Sequence, residues 1–264
     1  MSNMMAILSP AKTMTMDLPD TPLPTSRARL GANTKQLAEE LRGYTARSLS
    51  SLMSISDKIA SLNKERWQSF SDRTNPRGPA AICFRGDVYQ GLEAWTLDRR
   101  SLDWAQDHVR ILSGLYGLLR PMDVIQPYRL EMSTRLKTSE GANLYEFWGN
   151  SISKVLQKDL KSIKATSLIN LASDEYSKAL DLKALDIPVI NVKFIQRDGK
   201  QDKFISFFAK RARGLMARWM SEHRPRKRID LMEFNCEGYR VNAKTSDEQT
   251  LIFSRPKPRA KKAG

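Results

Sequence analysis

Four short apolar segments, each running straight into a polar turn, set the tightest limit on how this 264-residue chain folds. They are residues 4–8, 80–84, 109–112 and 167–171, followed by the turns SPAKT (9–13), RGDVYQG (85–91), SGLYGLLRP (113–121) and ASDEY (172–176). Apolar runs of four or five residues bounded by turn residues read as buried strands. Helical patterns, one of them over residues 28–41, separate most of these runs, as crossover connections between parallel strands require. A sheet wound in this way brings the carboxyl ends of its strands, and with them all four polar turns, to one edge.

The pattern changes after residue 187. Residues 188–197 and 200–208 flank Asp198-Gly199, a pair suited to the tight turn of an antiparallel hairpin. Apolar Phe208, Ala212, Leu215, Met216 and Trp219 then recur at helical spacing, with Lys210, Arg211, Arg213 and Arg218 mostly off that stripe. Residues 238–243 and 249–254 read as a second hairpin. The expected class is α/β: a mixed β-sheet with flanking helices and antiparallel hairpins in its C-terminal part. Without an internal repeat or a Gly/Ser linker, residues 1–254 are expected to form one domain. Residues 255–264, with five cations and no acid, are expected to be a disordered basic tail.

Composition narrows the partners. Lys and Arg number 44 against 29 Asp and Glu, a formal charge of +15. Residues 197–230 hold eleven cations against four acids, so with the tail most of the excess lies in the last quarter. A polyanion is the natural partner, and DNA phosphates fit because neutralising each one releases counterions without any reading of sequence. For the tail alone, a solvated basic surface serves equally well. No apolar run reaches the roughly 18 residues that span a bilayer. The start, MSNMMAILSPAKT, lacks a cationic leader, so a cytoplasmic protein with no membrane partner is expected. Cys83, Cys236, His108 and His223 are too few and too scattered for a disulfide framework or zinc site. SPAKT lacks the glycines of a nucleoside triphosphate loop, and no Asp/Glu spacing matches a metal loop, so neither cofactor nor metal is assigned.

Two sets of residues carry binding chemistry. In residues 49–62, apolar Leu49, Leu52, Ile55 and Ala60 match the spacing of the helix-hairpin-helix motif of DNA-binding proteins. In that motif, amides at the second helix N-terminus hold a phosphate. Ser54, Ile55, Ser56 and Lys58 are the candidate contacts, joined by the basic helix through Lys210, Arg211, Arg213 and Arg218. Ser54 and Ser56 stand where the motif has glycines, and the plainer alternative is two amphipathic turns that cover the sheet. The second set is the strand-end cleft: Ser9, Lys12 and Thr13; Arg85, Asp87 and Tyr89; Tyr116, Arg120, Asp123, Tyr128, Arg129 and Glu131; Ser173, Glu175 and Tyr176. Its cations suit a nucleotide or phosphorylated small molecule, and its carboxylates suit acid–base work. No nucleophile names a reaction, and capping and mutual pairing would explain Asp87, Asp123 and Tyr176 equally well.

Taken in order, SPAKT, LMSISDKIA, FRGDVYQGL, ILSGLYGLLRPMDVIQPYRLEM, LYEFWG, INLASDEY and FAKRARGLM resemble the YaaA family of bacterial peroxide stress proteins. The resemblance covers about residues 4–254. It implies a cytosolic protein that limits free intracellular iron under hydrogen peroxide and so protects DNA and proteins. It also implies an unusual α/β fold, a basic cleft and DNA binding that includes the helix-hairpin-helix element.

Overall fold

The computed structural model describes residues 3–19, 23–199 and 201–258. Among these residues the strands are β1 (Asn3–Leu8), β2 (Thr13–Met14), β3 (Ser26–Arg27), β4 (Gly78–Pro79), β5 (Phe84–Arg85), β6 (Val109–Ser113), β7 (Gly117–Leu119), β8 (Asp123–Ile125), β9 (Ala165–Asn170), β10 (Val189–Asp198), β11 (Gln201–Lys203), β12 (Arg240–Val241) and β13 (Thr250–Pro256). The helices are α1 (Gly31–Arg42), α2 (Ala46–Met53), α3 (Asp57–Gln68), α4 (Ala80–Cys83), α5 (Asp87–Leu92), α6 (Arg99–His108), α7 (Leu144–Trp148), α8 (Ser151–Ser162), α9 (Asp174–Ser177) and α10 (Ser206–His223).

Every residue of β1 from Met4 to Leu8 is buried, which places that strand inside a sheet covered on both faces. Parallel partners flank it, β6 on one side and β9 on the other. The sheet continues through β10 and β13, both parallel, and ends in the antiparallel edges β12 and β7, with β11 paired to the far end of β10. This is a mixed α/β architecture whose central sheet has eight strands flanked by helices, with β2–β5 and β3–β8–β4 forming two small sheets beside it.

Three of the four expected strands stand as read, and one does not. Residues 80–83 form the single turn α4, and only Phe84, with Arg85 after it, pairs as strand, antiparallel to Met14 and Thr13. Ala80 and Ala81 are strong helix formers, and the Ala81 amide donates to the Pro121 carbonyl across the fold. A short buried apolar run carries no periodicity that separates helix from strand. Both C-terminal hairpins are present. The second strand of the first stops at Lys203, because α10 starts at Ser206 and takes up Phe207 and Phe208. The expected tail begins too early: Arg255 and Pro256 belong to β13. Arg255 is buried, donating to Gln196 and Glu237 with its guanidinium over the Tyr239 ring. Residues 259–264 lie outside the described residues.

One close approach fixes the geometry of the cleft. A Cβ built on Gly91 would fall 2.1 Å from the Arg211 carbonyl oxygen, and one on Gly214 would fall 1.7 Å from that of Val88. Helices α5 and α10 therefore cross backbone to backbone at two glycines, a spacing no larger residue permits.

Candidate functional site

At the carboxyl ends of β1 and β9, a cavity of about 270 Å3 opens between the loop after β1, the start of α5, the start of α9 and one face of α10. Ser9 joins two of these pieces: its hydroxyl accepts from the Ser173 amide at 2.9 Å and donates to the Ser173 hydroxyl at 3.2 Å. Buried Tyr89 props the same loop by donating to the Ser9 carbonyl at 3.1 Å. Thr13 donates to the Arg85 carbonyl at 2.5 Å. Gly86, at φ +136°, turns the chain into α5 in a conformation other residues rarely adopt.

Cations and carboxylates share this hollow, but they are engaged to different degrees. Lys12 pairs with Glu131 at 2.5 Å, and Glu131 also receives Arg129 at 3.1 Å. Arg85 turns inward, donating to the Ile82 and Phe84 carbonyls and lying 4.4 Å over the Trp95 ring. Glu175 accepts from the Ser133 amide and hydroxyl. Burial, reinforced by the Glu175 charge, raises the Tyr176 phenol well above its ordinary range, so it remains a hydrogen-bond donor. Asp87 faces the cavity from the first turn of α5.

Lys210 and Arg213 differ from these groups. Both line the cavity from α10, and among the described residues neither has an ion pair or hydrogen bond to a carboxylate within the fold. Burial lowers the Arg213 pKa, and Asp174 opposes the shift. The sequence placed these two cations on a DNA-binding helix and the rest in a separate cleft. The glycine crossing of α5 and α10 merges the two sets. Gly91 lies in the string FRGDVYQGL and Gly214 in FAKRARGLM, and those two glycines were the signal available in the sequence.

Other expected members of the cleft lie elsewhere or serve the scaffold. Tyr128 is buried with its hydroxyl 2.6 Å from that of Ser113, and burial raises its pKa. Tyr116 accepts from the Gln126 amide at 2.9 Å and borders a different hollow beside Phe70 and Arg77. Asp123 is fully buried and accepts from Ser26, from the Arg120 amide and from the Arg120 guanidinium, which ties β8 to β3. Within α10, Arg211 pairs with Glu237 at 2.7 Å and donates to the Gln90 carbonyl. Arg218 pairs with Glu222 and donates to Leu92, Glu93 and Thr96. Both staple the helix to its neighbours and offer little to a ligand.

Helices α2 and α3 meet at residues 54–56. Ser54 takes the left-handed conformation (φ 51°) that glycine would hold without strain. The amides of Ser54 and Ile55 both donate to the Ser50 carbonyl, and Ile55 is buried, so the turn's own amides are largely spent. What remains for a phosphate is the first turn of α3 with exposed Lys58, beside the Asp57 carboxylate. The turn borders the cleft: residues 51–54 face Glu131, Ser133 and Arg135 across a shallow hollow. Two thiols complete the inventory. Burial pushes buried Cys83 up to about 12 against the pull of Arg85, and burial with Glu222 and Glu237 raises Cys236.

These features define a mixed α/β protein with a cationic hollow at the carboxyl edge of its sheet. The model of the family described as peroxide stress protein YaaA matches residues 4–245. The chain belongs to that family. It is also similar to a UPF0246 protein of Phenylobacterium zucineum, 47% identical over 255 residues that cover 97% of this chain and 96% of the relative. A UPF0246 protein of Caulobacter vibrioides is 47% identical over 255 residues, covering 97% of this chain and all of the relative. One of Idiomarina loihiensis is 46% identical over 257 residues, covering 96% and 98%. Among the described residues, no helix is long and apolar enough to cross a membrane, and no three His, Cys, Asp or Glu side chains group to hold a metal ion.

Proposed function

We propose that this protein acts in the response to peroxide stress by binding DNA through its backbone phosphates, without reading bases, and that it helps to limit free intracellular iron. The observation that carries the DNA reading is the pair Lys210 and Arg213, held over the cavity with no ion pair or hydrogen bond to a carboxylate among the described residues, Asp174 acting on Arg213 through its charge alone. Two adjacent backbone phosphodiesters, one negative charge each, supply the counter-charge that such a pair can take. Lys58 and the first turn of α3, across the Glu131 rim, extend the track to a neighbouring phosphate. The iron part of the reading rests on the family, whose description names peroxide stress.

The test is DNA affinity as a function of salt for the wild type and the Lys210→Glu/Arg213→Glu variant. The expected result is a steep fall with salt in the wild type, and in the variant a slope shallower by about 2, one for each phosphate that is no longer neutralised. Equal slopes would remove the proposal.

A second reading is favoured by the carboxylates of Asp87 and Glu175 in the same hollow: an enzyme acting on a nucleotide or phosphorylated small molecule. It is separated from the first by Asp87→Asn, which leaves DNA affinity intact or slightly raised and abolishes any turnover of a phosphorylated metabolite.

A further inference from the structure

The carboxyl-edge hollow leaves one cationic string unused. Arg224-Pro225-Arg226-Lys227-Arg228 follows α10 and lies at the opposite edge of the sheet, beside the first residues of β1, β9, β10 and β13. A cavity of about 920 Å3 opens there. That is within the range of nucleotide-sized sites. Apolar side chains of Met4, Pro188 and Ile190 line one part of it, and Lys183, Lys227 and Arg228 line another. Glu248 is the single carboxylate in its wall.

Two polar atoms in this wall are buried without a hydrogen-bond partner among the described residues: the Ser167 hydroxyl and Arg228 Nε. Ser167 is only 6% exposed. The cationic loop itself is held in place, because the amides of Arg226 and Lys227 donate to the Asp230 carboxylate and Arg228 donates to the Asp247 carbonyl. Leaving a buried donor unpaired is costly, so each of these atoms gains from an acceptor that a small shift of the wall brings within its reach. The lining thus combines fixed positive charge, unspent donors and an apolar floor.

We infer that the amino-edge cavity binds an organic phosphate of nucleotide size. Its anionic oxygens meet Arg228, Lys227 and Lys183, a further oxygen meets Ser167, and its planar or apolar body rests on Met4, Pro188 and Ile190. The same phosphate chemistry has two sources, a free nucleotide or a nucleotide within a strand, and the site is assigned to the free form. The cavity is a hollow on the edge opposite the proposed DNA track, so its occupancy is independent of that reading.

The test is calorimetric titration of the full chain with adenosine monophosphate. Lys183→Glu/Lys227→Glu alters two exposed side chains, keeps the fold, and is expected to weaken binding by about tenfold or more. Ser167→Ala removes a hydroxyl with no internal partner, so it leaves the melting temperature unchanged and weakens binding by about threefold. Lys210→Glu/Arg213→Glu leaves adenosine monophosphate binding as in the wild type. The inference is overturned by the absence of saturable binding at millimolar nucleotide, or by a loss confined to the Lys210→Glu/Arg213→Glu variant. It is also overturned if Lys183→Glu/Lys227→Glu weakens only a short single-stranded oligonucleotide, which would give the site to strand phosphates.

Discussion

The Arg120–Asp123 corner and the Lys210–Arg213 face of α10 are built from the same kinds of residue, and both looked like binding chemistry. In the corner, every strong group is closed on another: Asp123 receives Ser26 and Arg120, and Arg120 reaches the Arg27 carbonyl. On α10, two cations face a hollow without an ion pair or hydrogen bond to a carboxylate among the described residues. Charge alone therefore does not mark a site. What separates a strut from a site is whether the hydrogen-bonding capacity has already been consumed inside the fold.

The contrast is open to attack at both ends. The largest expected effect is on the closed side: Asp123→Ala strands the part-buried donors of Ser26 and Arg120 and lowers stability by about 3 kcal/mol, read from denaturant unfolding. Folded Asp123→Ala protein should bind DNA normally, and impaired binding would break the distinction. Next is Gly214→Ala, whose methyl would collide with the Val88 backbone. It should cost about 1 to 3 kcal/mol by separating α5 from α10 and should weaken DNA binding along with stability. On the open side, Lys210→Glu/Arg213→Glu should weaken DNA binding by about a hundredfold at low salt, while its melting temperature stays close to that of the wild type.

Acid sharpens the comparison further. Burial pushes the Asp159 pKa up, but hydrogen bonds and charge from Arg29 and Arg110 outweigh it and hold the carboxyl below its ordinary value of 3.8. A group depressed on folding contributes stability above its unfolded pKa and loses it as pH falls through the lower folded value. A melting-temperature profile should therefore drop below about pH 4 in the wild type, and less so in Asp159→Asn, which already lacks that charge. The smallest expected effect is Ser54→Gly, which relieves the left-handed serine at the α2–α3 turn and should be neutral to stabilising by up to about 1 kcal/mol.

Much of the fold was legible. Residues 4–8 are a continuous apolar run, residues 109–112 and 167–171 are predominantly apolar, and such segments suit a covered sheet; Asp198-Gly199 marks its hairpin. Residues 80–84 were misread because two alanines and an isoleucine satisfy either a helical turn or a strand. The parallel pairing of β10 with β13 was invisible, since nothing local tells residue 191 that its partner is residue 250. The site was half legible. Its loops at 9–13, 85–87 and 173–176 were foreseen, but the division between engaged and unspent charges was not. Ser26 lies 97 positions from Asp123, and only the folded chain shows that it closes that carboxylate.

The two sulfhydryls carry a consequence for a family named after peroxide. Hydrogen peroxide attacks the ionised sulfur, and the surroundings of Cys83 and Cys236 both suppress that ionisation. Cys83 is sealed behind the Met16 thioether at 3.8 Å, so an oxidant must first breach the fold to reach it. Of the two, Cys83 is shielded by both its burial and its raised pKa, whereas half-buried Cys236 is protected chiefly by the surroundings that keep its thiol protonated.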